Sequence, residues 1–256
     1  MSFLGQSRRL GFPDNFSDQS AAYSRHRPRY PARLFAHVAS LAPATEHAWD
    51  CATGNGQAAH GLAEHFTEVI ATDASESQLE NAAPHPRVTY RRATAEDPGL
   101  DDASVDIVYV AQALHWFDFD RFYAEVRRVL RPGGVLAVTI YQHTVISDEL
   151  DPILRWFHDG IVGPYWPPQT KWSHAYYREI PFPFEELEAP DDLECEATWT
   201  YPDLIGYLES WSATQGYIRK NERDPVDEIR AQLQGAWGPP ATERAVRWPL
   251  VVRIGK

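Results

Sequence analysis

Trp49-Asp-Cys-Ala-Thr-Gly-Asn-Gly56, followed by Val69-Ile-Ala-Thr-Asp73, is the stretch whose reading decides the fold. A short apolar strand ending at Asp50 runs into a turn whose Gly54 and Gly56 lack a Cβ, so backbone can approach a ligand where any side chain would collide. Residues 57–66 then read as a helix, with Leu62 and Phe66 four apart on one face. The next apolar strand delivers Asp73 at its carboxyl end, the place from which a carboxylate accepts hydrogen bonds from the two hydroxyls of a ribose. Strand, glycine turn, helix, strand and acid together predict the first half of a nucleoside-cofactor site.

The glycines alone leave the cofactor open. Gly54-Asn-Gly56-Gln-Ala-Ala59 satisfies the loose dinucleotide fingerprint Gly-x-Gly-x-x-Ala, so a nicotinamide or flavin stands beside any other reading. Asp50, four residues before Gly54, argues the other way: an acid beside the turn suits a cationic ligand better than a pyrophosphate. Further on come Thr94-Ala-Glu96, the strand Val105-Asp-Ile-Val-Tyr-Val110, the segment Gln112-Ala-Leu-His-Trp-Phe117, and Leu130-Arg-Pro-Gly-Gly134 leading into Val135-Leu-Ala-Val-Thr-Ile140.

As a set, over roughly residues 20–141, these segments resemble the class I S-adenosylmethionine-dependent methyltransferases, and within them the type 11 small-molecule group. The resemblance implies an α/β fold, a Rossmann-like doubly wound sheet of seven strands in the order 3-2-1-4-5-7-6 with the last strand antiparallel. It implies S-adenosylmethionine as cofactor, held by Asp50, Ala52, Gly54, Asn55 and Gly56 around the turn, Asp73 and Ala74 at the ribose, Ala95 and Glu96 at the adenine, and Gln112 facing the methyl group. Tyr23, Arg27 and Tyr30 resemble an N-terminal lid segment of the group, with Arg27 toward the methionine carboxylate and Tyr23 over the sulfonium. The chain departs twice from the family pattern: Ala52 replaces the first glycine, a mild change if only one methyl is added, and Thr94 stands where an Asp is common. The layout with Leu-His-Trp-Phe at 114–117 is similar to trans-aconitate methyltransferase relatives, which implies methyl transfer to a carboxylate oxygen of a small molecule. A dinucleotide-dependent oxidoreductase and a non-catalytic S-adenosylmethionine binder remain the two other classes.

At 256 residues the chain fits one elaborated domain with a cap. Its 24 basic against 36 acidic residues, a net charge of −12, disfavour a phosphate-binding surface and hence nucleic acid as partner. Cys51 and Cys195 are far apart, which indicates no disulfide framework and a reducing compartment. The first residues lack a hydrophobic signal core and no run reaches the roughly 18 apolar residues of a membrane span, so a cytoplasmic protein is expected. No histidine pair is backed by acids at ligand spacing and neither cysteine has a CxxC companion, so no metal is expected.

The chain divides into a lid segment (1–30), a cofactor-binding core (31–141), an inserted cap (142–192) and a closing part (193–256). Pro31 opens a helix, Ser75-Glu-Ser-Gln78 reads as a capping box, and Phe119, Phe122, Val126 and Val129 recur at helical spacing. The cap follows from a segment too long and too aromatic for an ordinary connection. Pro249 interrupts the final strand, which predicts a bulge there or a strand starting at the proline. His115, in the segment that ends the fourth strand, is the candidate general base, with a wall-forming histidine as the equal alternative. Trp116, His143, Trp166 and Trp172, with Tyr176 and Tyr177, are candidates for the acceptor pocket.

Overall fold

The computed structural model describes residues 28–256. Five parallel strands form first: β1 (His47–Cys51), β2 (Glu68–Asp73), β3 (Val88–Arg92), β4 (Val105–Ala111) and β5 (Leu130–Tyr141). The crossovers carry α1 (Ala32–Leu41) before β1, α2 (Gln57–Ala63), α3 (Glu76–Glu80) and α4 (Phe119–Val129). Then come α5 (Asp151–Trp156), one wider helical turn at Phe157–Ile161, α6 (Lys171–His174), and the short strand β6 (Glu186–Leu187). The chain closes with β7 (Glu194–Trp199), α7 (Tyr201–Glu209), α8 (Ser212–Asn221), α9 (Arg230–Trp237) and β8 (Arg244–Gly255).

The strand order is β3-β2-β1-β4-β5-β8-β6, with β7 also on β8. This is the expected 3-2-1-4-5-7-6 path with one short extra strand, and the last strand is antiparallel to its neighbours. The period of two explains why the sheet needs helices on both faces. In β4, Ile107 and Tyr109 enter one core with Leu34, Leu62 and Trp248, whereas Val108 and Val110 enter the other with Trp49, Phe122 and Val126.

Arg131 of the Arg-Pro-Gly-Gly turn owes its place to the fold. Asp106 on β4 is fully buried; its carboxylate accepts the backbone N–H of Glu46 and of His47, each at 2.9 Å, and Arg131 donates to it at 3.0 Å. Gly134 follows because a Cβ there would lie 2.9 Å from the carbonyl oxygen of Arg131.

At Pro249 the expected bulge is present, with the extra residue in the facing chain. β8 runs unbroken from Arg244 to Gly255, and the proline sits where it changes partners: β7 pairs with residues 244–249 and β5 with residues 250–255. The irregularity lies in the facing chain. Tyr141 pairs with Leu250 and Val145 with Arg247, so three residues, 142–144, face two, 248 and 249. Gln142 still donates to the Pro249 carbonyl at 2.7 Å, and the proline has no N–H to return. The expected capping box at α3 is replaced: Ser75 makes no side-chain cap bond, and its hydroxyl meets that of Ser77 at 3.0 Å. Among the described residues, no helix is long and apolar enough to cross a membrane.

Candidate functional site

The carboxyl ends of β1, β2 and β4 open into a cleft of about 1200 Å³. Asp50, Ala52, Gly54 and Asn55 line it from the first turn, Asp73 and Ala74 from the end of β2, Ala95 and Glu96 from the loop after β3, and Gln112 from the end of β4. Tyr30 lines it as well, whereas Tyr23 and Arg27 lie outside the described residues.

Asp50 is fully buried. Its Oδ2 accepts the Thr53 hydroxyl at 2.5 Å, and its Oδ1 has no hydrogen-bond partner. Burial pushes its pKa up from 3.8 to about 7, opposed by the Thr53 hydroxyl and the Ala59 backbone N–H and assisted by the negative charge of Asp73. A buried carboxylate with one orphaned oxygen is what a cationic ligand group would complete, and what a pyrophosphate would repel.

Asp73 has work of its own. Its Oδ2 accepts the Gly54 N–H and its Oδ1 the Ser75 N–H, both at 2.8 Å, so it ties the first turn to the end of β2. A carboxylate offers about four acceptor sites, so this structural role and a ribose contact are chemically compatible.

The glycine turn divides into two functions. Gly54, with φ +57°, lines the cleft, and a Cβ added to it would meet nothing closer than Gln78 Oε1 at 3.9 Å. Gly56 does not line the cleft: it caps α2 with φ +87°, and a Cβ would lie 2.2 Å from the Tyr90 hydroxyl. Backbone handedness and packing against Tyr90 thus both call for glycine at this position. For Ala52 the expectation is corrected. It sits at φ +57°, so a left-handed backbone, beyond the mere space for a methyl, explains why glycine is usual at this point of the turn.

A second cavity, of about 190 Å³, lies beyond the ends of β4 and β5. It shares Gln112, Trp116 and Tyr141 with the cleft, so these three residues form the boundary between the two spaces. Gln112 is held at φ +57° with its Nε2 buried and unpartnered. Among the acceptor-pocket candidates, Trp116, His143, Trp166 and Tyr176 line the second cavity. Trp172 does not; it packs edge-on against Phe119 at 5.8 Å, with the Lys171 ammonium over its ring. Tyr177 is buried behind the wall, where its hydroxyl and His115 Nδ1 are 2.7 Å apart.

His115 lines the second cavity, but burial pushes its pKa down to about 3, with the neighbouring His174 adding to the effect. Such an imidazole is a weak base, and its bond to Tyr177 fits a wall-positioning role. Reading by segment missed Arg155, His158, His174 and Trp211, which also line this cavity. Leu154 and His158, four apart, were a legible helical face, but nothing in the sequence said that this face looks toward residues 112–116.

His143, His158 and Asp159 have potential metal-ligating atoms within 4.8 Å of one another, a grouping that the fold creates from two separate segments. His158 Nδ1 is already engaged by Asp159 Oδ1 at 2.6 Å. Its ring stands edge-to-face against His143 at 4.7 Å and His174 at 5.0 Å.

Comparison with known proteins agrees with this geometry. Residues 49–138 match the methyltransferase domain family Methyltransf_11. A Dictyostelium discoideum protein, named as a methyltransferase, is 33% identical over 230 residues, covering 88% of this chain and 87% of its own. A Mycobacterium tuberculosis methyltransferase of uncharacterized activity is 39% identical over 125 residues, 48% of this chain and 51% of that one. Among solved structures, a protein described as a type II methyltransferase from Anaeromyxobacter dehalogenans is 47% identical, covers 90% of this chain and 97% of its own, and superposes with a TM-score of 0.84.

Proposed function

The chain belongs to the S-adenosylmethionine-dependent methyltransferases, and from that premise we propose that it methylates a carboxylate oxygen of a small molecule seated in the second cavity. The observation that carries the proposal is the shared boundary: among the described residues, Gln112, Trp116 and Tyr141 line both a cofactor-sized cleft and a cavity of small-molecule size. When bound, S-adenosylmethionine supplies an electrophilic methyl carbon on a sulfonium.

Each residue then has a task. Asp50 Oδ1, which has no side-chain partner, would face the cationic part of the cofactor, Asp73 would take the ribose, and the backbone around Ala95 and Glu96 would border the adenine. Gln112, Trp116 and Tyr141, which line both spaces, would hold the nucleophile in line and keep water out, and positioning of this kind supplies several kcal/mol of the barrier reduction. The acceptor being a carboxylate fits the weak basicity of His115, because that nucleophile is already ionised at pH 7 and needs no proton removed. The net charge of −12 supports a small molecule over nucleic acid as acceptor.

The test has two steps. Calorimetric titration with S-adenosylhomocysteine, NADH and NADPH should give micromolar binding of the first alone; binding only to a nicotinamide would replace the methyltransferase by an oxidoreductase. Methyl-labelled S-adenosylmethionine with a panel of carboxylic acids should then yield base-labile labelled esters. Label retained only in base-stable products would move the methylated atom off the carboxylate, and tight cofactor binding with no turnover across acids, phenols and amines would favour the non-catalytic binder.

A further inference from the structure

The second cavity carries a statement about what fits it, resting on its reading as the acceptor site. We infer that the acceptor is a small, flat, ring-bearing molecule with at most one negative charge, and not a polycarboxylate.

Charge decides the second half of that statement. Among the described residues that line the cavity, Arg155 is the one arginine or lysine, and its guanidinium lies 4.0 Å from the Asp151 carboxylate. His115, His143, His158 and His174 complete the basic groups of the wall as imidazoles, and burial pushes the pKa of His115 down to about 3, so that ring stands neutral at pH 7. A first carboxylate finds Arg155 and the imidazole N–H groups. A second and a third would find no further arginine or lysine among the described lining residues.

Shape decides the first half. Trp166 and Trp211 stand 5.7 Å apart between ring centroids, and His158 packs on Trp166 at 4.9 Å, so one side of the cavity is a continuous aromatic wall. The indole N–H of Trp166 donates to the His158 carbonyl at 3.2 Å. Trp166 therefore offers a guest its ring and not its donor, which suits stacking. Trp116 and Tyr176 line the same space. The volume of about 190 Å³ is below the roughly 300–1,000 Å³ of pockets that take drug-sized ligands, so the guest is of one or two rings.

The test uses protein saturated with S-adenosylhomocysteine and calorimetric titration with benzoate, 2-naphthoate and propane-1,2,3-tricarboxylate. At least one aromatic acid should bind tenfold or more tightly than the tricarboxylate. Trp166→Ala should weaken that binding at least tenfold, and Trp166→Phe, which restores a ring without the indole N–H, should recover most of it. A tricarboxylate that binds as well as or better than both aromatic acids, or a Trp166→Phe variant as weak as Trp166→Ala, overturns the inference. Failure of S-adenosylhomocysteine itself to bind would instead remove the underlying methyltransferase reading, and the inference with it.

Discussion

Three residues of the first turn carry distinct physical loads. Ala52 sits at φ +57°, where an L-residue costs about 1–2 kcal/mol and glycine is unstrained apart from its greater loss of chain entropy. Ala52→Gly should therefore raise stability by about 0.5–1 kcal/mol, seen as a higher urea midpoint at unchanged slope. Gly56→Ala should do the reverse and lower stability by about 2 kcal/mol or more, because the new Cβ would lie 2.2 Å from the Tyr90 hydroxyl oxygen. Adding Tyr90→Phe removes that atom, so the double variant should regain part of the loss in a thermodynamic cycle; no coupling would place the strain in the backbone alone. Asp50 links the turn to pH. With its pKa up at about 7 against 3.8, the folded protein holds a proton that the unfolded chain has released, so stability falls as pH rises from about 4 to about 7 and levels above. A cationic cofactor prefers the ionised acid, so its affinity should rise through pH 7 and then flatten. Asp50→Asn should remove both slopes and weaken S-adenosylhomocysteine binding at least tenfold, with calorimetry between pH 5.5 and 8.5 as the check; a wild-type affinity that does not vary with pH would separate Asp50 from the cofactor.

Between elements, the join of β1, β4 and β5 depends on one buried acid. Asp106 takes two backbone N–H groups from the start of β1 and the guanidinium of Arg131 from β5. Arg131→Ala leaves that carboxylate without its cation and should cost about 3 kcal/mol, measured by chemical unfolding; a loss below about 1 kcal/mol would show that the two backbone donors suffice. The elements were largely readable because the early strands, turn and helices are local: Val105 to Val110, Phe119 to Val129 and the Gly54 turn each announce themselves within a few residues. What was not readable is of two kinds. Backbone handedness at Ala52 and packing against Gly56 depend on neighbours that the local pattern does not contain. Aromatic residues at helical spacing look alike whether they face a cavity or a core, so the local pattern does not separate Trp172, which packs on Phe119, from Trp211, which lines the cavity.

For the molecule as a whole, cofactor and fold are one equilibrium. S-adenosylhomocysteine at about one hundred times its dissociation constant should add about 2.7 kcal/mol to stability and raise the thermal midpoint by roughly 5–10 °C, while NADH at equal concentration should leave it unchanged. The cofactor half of the site was legible as a sequence of segments, but the acceptor half is assembled from residues 112–116, 140–144, 154–176 and 207–212, which only the closed sheet brings together. Within that assembly, Pro249 has a consequence larger than its size. By withholding one amide hydrogen where β8 passes from β7 to β5, it leaves Gln142 with a single bond to the ladder and lets the chain bulge through His143 and Thr144, and these three residues are wall of the second cavity. The chamber thus begins as a dropped stitch in the sheet: its opening is written into the backbone, so the aromatic and imidazole groups that furnish it are free to vary without closing the room they stand in.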